Sequence, residues 1–412
     1  MIKWIIAQRF NGRKTMQFSL VVLALSLLLP MMPEVAAAQA GNQLKTLAIG
    51  YLELASDPRY DETHMKAMYP AQPWGRPYPG AVVAVNESRF QAMAAGLQFN
   101  LRREIAAKPA QLQPMLKQMI AGGVHFVLLD LPGNEIARLA KSVQGKDVML
   151  FNVSALSDSL RQRQCQANLW NLAPSRAMLT DALAQYLVFK KWRNVLVLRG
   201  PRPADENYFR AFQRSAKRFG LEFENVKDFV LGTNPRERSQ NNVALLTAGS
   251  NADVVMVVDS DGEFARAVPY QTQRPQSVVG SAGLVPDWWH WSWSRSGGLQ
   301  LTDRFMDETG RLMTGYDWSA WVGVKVIAEA VLRTRSGNFK KLQDYIRGDQ
   351  LVIDGFKDYP LSFRPWNHQL RQPIFLTTGD WVVAVAPLPG FLEQANNLDT
   401  LGFDETENQC EF

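Results

Sequence analysis

The residues with the most direct chemical meaning in this 412-residue chain are carboxylates at alternating positions, Asp259-Ser260-Asp261-Gly262-Glu263. Side chains two apart in an extended turn share a face, so Asp259, Asp261 and Glu263 could converge on a hard cation such as Ca²⁺, although the spacing of a complete Ca²⁺ loop is missing. Asp57, Asp61, Glu62 and His64, far upstream, could add ligands to such a site or serve as ordinary loop residues. His64, His125, His290 and His368 are scattered without ligand spacing. There is no G-x-S-x-G, H-E-x-x-H, G-x-G-x-x-G or P-loop pattern, and no C-x-x-C-H for a haem. The signatures of the familiar enzyme classes are missing and no cofactor is implied, which leaves an enzyme with an unrecognised site as an alternative to a binding protein.

Two further groups stand out. The run Pro286 to Trp293 (PDWWHWSW) holds four of the twelve tryptophans. Its rings can stack on a flat ligand such as a quinone, with Trp288 foremost, or fill the space where two lobes pack at a hinge. Cys165 and Cys410 are the only cysteines. In an oxidising compartment they read as a disulfide closing most of the chain, and otherwise as two free thiols.

The elements that must position these groups alternate. Apolar runs at Thr46–Leu54, Leu97–Leu101, Val124–Leu129 and Val148–Val153 read as strands, with helices at Pro109–Gly122 and Gly133–Val143 between them. A second series follows: a helix opening at Pro174, strand Val195–Leu198, helix Pro203–Phe219, and strands Glu222–Val230 and Ala252–Val258. Strands alternating with amphipathic helices imply parallel sheets, here two doubly wound lobes. Later come helices around Asp317–Thr334 and Phe339–Arg347, then a hairpin through Thr377-Thr378-Gly379-Asp380 to a last strand. Beyond Pro387 the chain carries Glu393, Asp399, Asp404, Glu405, Glu407 and Glu411 and no Lys or Arg, which predicts a solvated acidic tail over 387–412.

The N-terminal 40 residues read as a cleaved signal peptide: Arg9, Arg13 and Lys14, an uncharged run Phe18–Met32, then Ala36-Ala37-Ala38-Gln39-Ala40. The apolar run is shorter than the roughly 20 residues a spanning helix needs. The expected location is the periplasm. Roughly 370 residues remain, more than one core accommodates, so two lobes are expected. Of the formal charge of +6, the leader carries half, leaving nothing that suggests a nucleic-acid partner.

Several stretches in order resemble the leucine/isoleucine/valine-binding type of periplasmic binding protein, the receptors of ABC importers. Val148–Leu160 is similar to that family's strand and ligand-facing loop, Asn194–Gly220 to its second-lobe opening, Ala252–Gly262 to its next strand and turn, and Tyr316–Leu332 to its late first-lobe helix. The opening LAIGYLELASDPRYD, with the later PWGRPYPGA, resembles a narrower group, the binding proteins associated with PQQ-dependent alcohol dehydrogenase systems. The resemblance implies a type I periplasmic binding protein fold with two doubly wound lobes joined by a multi-strand hinge. Its first lobe would comprise 44–173 with about 299–352, and its second 174–298 with about 353–386. It also implies a monomeric receptor that closes on a small-molecule solute and hands it to an inner-membrane permease and its ATPase. A periplasmic sensor, or an accessory protein binding a ligand, Ca²⁺ or a lanthanide for the oxidation system without transport, is the other reading. Family members that bind amino acids follow their first strand with a Gly-rich turn. Here Ala55–Gly80 is a long insertion rich in Pro and Tyr, so amino-acid specificity does not carry over.

Ligands of open α/β sheets bind beyond the carboxyl ends of strands. That rule selects Asp130, Ser154, Ala155, Ser157, Asp261 and Glu263. By resemblance, Ser154, Ala155 and Ser157 would hold an anionic or polar group through hydroxyls and backbone N–H groups. Tyr208 would close from the second lobe, and Asp261 or Glu263 would meet a cationic group.

Overall fold

The computed structural model describes residues 44–232 and 234–412, so the leader read over 1–40 lies outside the described residues. The chain opens with β1 (Lys45–Leu54) and α1 (Glu62–Ala67), followed by α2 (Tyr78–Glu87), α3 (Arg89–Ala94), β2 (Leu97–Ala106) and α4 (Pro109–Ala121). Next come β3 (Phe126–Asp130), α5 (Gly133–Ser142), β4 (Met149–Asn152) and β5 (Leu169–Asn171). The five strands form one parallel sheet in the order β2-β1-β3-β4-β5. Alternation decides what each face packs against. Val127 and Leu129 of β3 join Leu112, Leu116 and Ile136 of α4 and α5, whereas Phe126 and Leu128 face the central core.

A second sheet repeats the scheme. Helix α6 (Arg176–Phe189) leads to β6 (Asn194–Arg199), α7 (Pro203–Phe219), β7 (Glu222–Asp228), the single-turn helices α8 (Arg238–Asn241) and α9 (Val243–Leu246), β8 (Val254–Val258), α10 (Val268–Gln271) and β9 (Ser277–Gly280). These strands are parallel, in the order β7-β6-β8-β9. In both sheets the order reverses after the first strand, so each has a switch point where its strand ends splay apart and leave a crevice. The switch lies between β1 and β3 in one sheet and between β6 and β8 in the other.

The remaining elements bind the two sheets together. Strand β10 (Val285–Asp287) is followed by α11 (Gly298–Thr309), α12 (Gly315–Thr334) and α13 (Phe339–Arg347), then β11 (Ile353–Asp354), β12 (Pro360–Phe363), β13 (Leu370–Arg371), β14 (Ile374–Thr377) and β15 (Val382–Ala386). Helix α12 is buried along most of its length and packs on α2, where a Cβ on Gly80 would collide with the backbone of Asp317. The antiparallel β10-β14-β15 sheet lies against α6. Gln369 crosses to the first sheet, donating from Nε2 to the carbonyls of Asn171 and Ala173.

The C-terminal segment is packed rather than solvated, which corrects the sequence expectation for 387–412. Leu388, Leu398 and Leu401 are buried. Asp399, itself buried, accepts from Arg364 Nε at 2.7 Å and Arg371 Nε at 2.9 Å. Arg214 pairs with Glu407, Arg218 with Asp404, and Asp181 of α6 accepts from the Gly402 N–H at 2.8 Å. The tail's countercharges lie in α7 and around β13, roughly 30 to 200 residues upstream in the chain, too far for local composition to reveal. A disulfide joins Cys165 to Cys410, with Cα atoms 5.7 Å apart, and fastens this segment beside β5. Among the described residues no helix is long and apolar enough to cross a membrane.

Candidate functional site

A cavity of about 460 Å³ lies where the two switch points face each other. The loops after β1, β3 and β4 form one wall, and those after β6, β8 and β9 the other. Trp288, Tyr316 and the first turn of α6 close the space between them. Its volume falls in the range usual for small-ligand sites.

The loop after β4 is held from behind. Asn152 Oδ1 accepts from the N–H groups of Ser154 (3.2 Å) and Ala155 (2.8 Å), and its Nδ2 donates to the Ala155 carbonyl (2.8 Å). Arg161, 1% exposed, donates to the carbonyls of Ala155 and Ser157 (both 2.9 Å) and to Gln369 Oε1 (2.7 Å). Ser154, Ala155 and Ser157 all line the cavity. The Ser154 and Ala155 N–H groups are nonetheless already taken by Asn152, and the Ser154 hydroxyl is shut off from solvent. The anion-holding part that resemblance gave those two N–H groups therefore lacks free donors.

Asp130 lies beneath this wall, fully buried and outside the cavity lining. Its Oδ1 accepts from Tyr60 Oη at 2.6 Å and Arg59 at 3.3 Å, so it anchors the insertion. Burial raises the pKa of its carboxyl, and Arg59 works against that rise. Arg59 also pairs with Asp57 (2.6 Å) and donates to the Ser154 carbonyl (3.2 Å). From this anchor the segment 55–80 runs across the cleft. His64 comes within 3.6 Å of Asp261, Gln72 Nε2 donates to the Ser260 carbonyl (3.2 Å), and a Cβ on Gly262 would lie 2.7 Å from the Tyr69 ring. The insertion, which is the loop after β1, thus bridges the end of β3 to the loop after β8.

The carboxylates of the β8 loop do not converge, a correction to the cation-loop reading of Asp259, Asp261 and Glu263. Asp259 accepts from the N–H groups of Asp261 (3.1 Å) and Ala265 (2.9 Å), stabilising its own turn. Asp261 lines the cavity and is ion-paired to Arg202. Glu263 is exposed and outside the lining. The upstream group is dispersed too, with Asp57 on Arg59 and Glu62 on Lys66 at 2.6 Å. Among the described residues no three His, Cys, Asp or Glu side chains form a metal-binding group.

The tryptophan run is mostly packing. Trp288, Trp289 and Trp293 are buried. Trp288 donates from Nε1 to Ser319 Oγ (2.9 Å) and meets Tyr316 edge-on at 4.8 Å, and of the run's four tryptophans it is the one that lines the cavity. Tyr208, half-buried on α7, lines the same cavity from the second sheet's wall. Burial pushes the Tyr208 hydroxyl up and the Tyr316 hydroxyl to about 12, so both are neutral phenols at neutral pH.

Sequence reasoning passed over Arg59, Arg176, Arg202, Asp205 and Tyr316, all of which line the cavity. Arg202 and Asp205 leave β6, and the strand-end rule that selected Asp261 applies equally to them. Arg176 follows Pro174-Ser175, the start signal of α6, where Ser175 caps the helix by accepting from the Met178 N–H at 3.1 Å. Arg59 and Tyr316 carry no local signal, since their place depends on how the insertion and α12 pack.

No protein-family model matches the sequence, and no curated protein matches it. Solved structures do. An ABC transporter substrate-binding protein from Sphaerobacter thermophilus has a TM-score of 0.68 at 17% identity, over 87% of this chain and 100% of that one. A branched-chain amino acid ABC transporter periplasmic ligand-binding protein from Burkholderia xenovorans gives 0.64 at 14%, over 82% and 95%. A solute-binding protein of an ABC transporter from Rhodopseudomonas palustris, in complex with 3,4-dihydroxybenzoic acid, gives 0.60 at 12%, over 81% and 93%. At such identities the likeness is one of fold. The chain has the mixed α/β, type I periplasmic binding protein fold.

Proposed function

We propose that this chain is the periplasmic solute-binding receptor of an ABC importer linked to PQQ-dependent alcohol oxidation, trapping a small solute by closure of two lobes. The first lobe comprises 44–173 with 299–352, and the second 174–298 with 353–386. The observation that carries this reading is the cavity of about 460 Å³ between the carboxyl ends of two parallel sheets. A solute bridging both walls favours the closed arrangement by its differential affinity for it. The closed form is then what a permease and its ATPase recognise. The fold's neighbours are substrate-binding proteins, and the opening LAIGYLELASDPRYD supports the link to alcohol oxidation. The chain acts by binding, as a monomer, without catalysis.

A thermal-shift screen of the mature protein against alcohols, aldehydes, carboxylates, amino acids, PQQ, Ca²⁺ and lanthanides tests the reading, because a ligand of the native state raises its stability by mass action. A hit among the organic solutes that Tyr208→Ala abolishes is the expected outcome. Response to amino acids alone would sink the link to alcohol oxidation.

A further inference from the structure

Four aspartates and three arginines line the cavity, so it is not cationic as a whole. What distinguishes these groups is which ends are free. Asp57 is held by Arg59, Asp205 by the N–H groups of Arg202 (2.9 Å) and Ser260 (2.6 Å), Asp259 by its own turn, and Asp261 by Arg202. Asp57, Asp205 and Asp259 are no more than 3% exposed. No carboxylate of the lining is left to meet a ligand's ammonium group. Arg59 and Arg202 are likewise engaged by these acids.

Arg176 differs. Its guanidinium makes no ion pair and no hydrogen bond among the described residues, although it is half-buried in the lining. Asp158, whose carboxyl feels the Arg176 charge, already accepts from the Ala177 N–H at 3.0 Å. The Tyr208 and Tyr316 hydroxyls belong to residues lining the same cavity as Arg176, and they too have no hydrogen-bond partner among the described residues. A guanidinium offers five donors in a planar fork that matches a carboxylate, and leaving them unused in a partly dry site is unfavourable. Leu156, Leu179, Val258, Val285 and Trp288 supply the apolar remainder.

Resting on the receptor reading above, we propose that the solute is a small organic carboxylate with an apolar body and no ammonium group, its carboxylate seated on Arg176 and the hydroxyls of Tyr208 and Tyr316. Amino acids are disfavoured because their ammonium group would be desolvated without a counterion.

The test uses two matched series that differ only in the charged end: benzoate, benzyl alcohol and benzylamine, then isovalerate, isoamyl alcohol and isoamylamine. Calorimetric titration of the mature protein should show the carboxylates at least about tenfold tighter than the matched alcohols, with the amines weakest. Arg176→Met should weaken the carboxylates roughly 10- to 100-fold while leaving the alcohols within about twofold, and Arg176→Lys should restore part of the loss. The melting temperature of ligand-free Arg176→Met should be unchanged or raised, because the guanidinium has no partner to lose. A fall of several degrees would make Arg176 a structural residue and overturn the proposal. Alcohols or amines binding as tightly as carboxylates, with Tyr208→Ala abolishing that binding, would overturn it while leaving the cleft as the receptor site. No binding by any of the six probes at millimolar concentration would overturn it, and the receptor reading falls with it if the wider thermal-shift screen is also silent.

Discussion

Two buried histidines and a buried aspartate set opposing responses to acid. His290 and His368 are each held down to about 4, chiefly by burial, and His368 lies flat on Trp170 with ring centroids 4.0 Å apart. Their folded values are depressed, so the unfolded chain binds protons first. The stability they contribute is complete above about pH 6.5 and is lost as pH falls towards 4, on the order of 3 kcal/mol each. Asp287 runs the other way: burial lifts its carboxyl to about 6, against donation from the Trp288 and Trp289 N–H groups. Its contribution is present below about pH 3.8 and lost as pH rises through 6. Asp287→Asn is therefore expected to raise stability at pH 7 by up to about 3 kcal/mol and to change little at pH 4. His368→Phe, which keeps the stacked ring, should flatten the acid limb between pH 6.5 and 4. Denaturant unfolding at stepped pH measures both, and an unaltered pH profile in His368→Phe would refute the assignment.

At the scale of elements, the segment 55–80 is the distinctive part. Anchored on Asp130 by Arg59 and Tyr60, it reaches the β8 loop at three points, through His64, Tyr69 and Gln72. Gly262, with φ of +79° and the Tyr69 ring against it, is where that contact is tightest. A side chain there is strained by the backbone and collides with the ring. Gly262→Val is expected to cost about 1–3 kcal/mol, to free the insertion from the second sheet's wall, and to weaken solute affinity. Limited proteolysis reads the release directly, with new cuts between residues 61 and 77. A variant as resistant as the parent would show that the bridge does not depend on this contact.

Over the whole molecule, the disulfide is the longest covalent tie, closing 245 residues between Cys165 and Cys410. Loop-closure entropy assigns such a tie about 5 kcal/mol, and strain in the native state subtracts from that. The packed tail shares in the same connection through Asp399, Asp404 and Glu407. Cys410→Ser should lower the melting temperature by several degrees or more, and reduction of the parent protein should reproduce that shift. If the reduced and oxidised forms melt together, the tail's ion pairs alone hold it in place.

The strands and helices were legible in the sequence because their cause is local: apolar period two or 3.6, a cap, a stop. Helix α7 and α13 appear at the predicted bounds Pro203–Phe219 and Phe339–Arg347, and β1, β3, β4 and β8 within a few residues of theirs. Repeating alternation then implied parallel sheets, and parallel sheets implied a site at their carboxyl ends. Of the residues that rule selected, Ser154, Ala155, Ser157 and Asp261 line one cavity and Asp130 and Glu263 do not; Tyr208, named from the resemblance, and Trp288, named from the tryptophan run, line it too. The role of each charge was decided only in three dimensions. Asp130 and Asp261 belong to the same strand-end class in sequence, yet one is covered by Arg59 and Tyr60 and the other paired with Arg202. The acidic tail read as solvated because its arginine partners lie in α7 and beside β13. Burial and pairing depend on which distant side chain occupies the adjoining space, and periodicity along the chain carries no record of that. Sequence determined the fold and the position of the cleft, whereas tertiary packing left Arg176 as the arginine in its wall with no partner among the described residues.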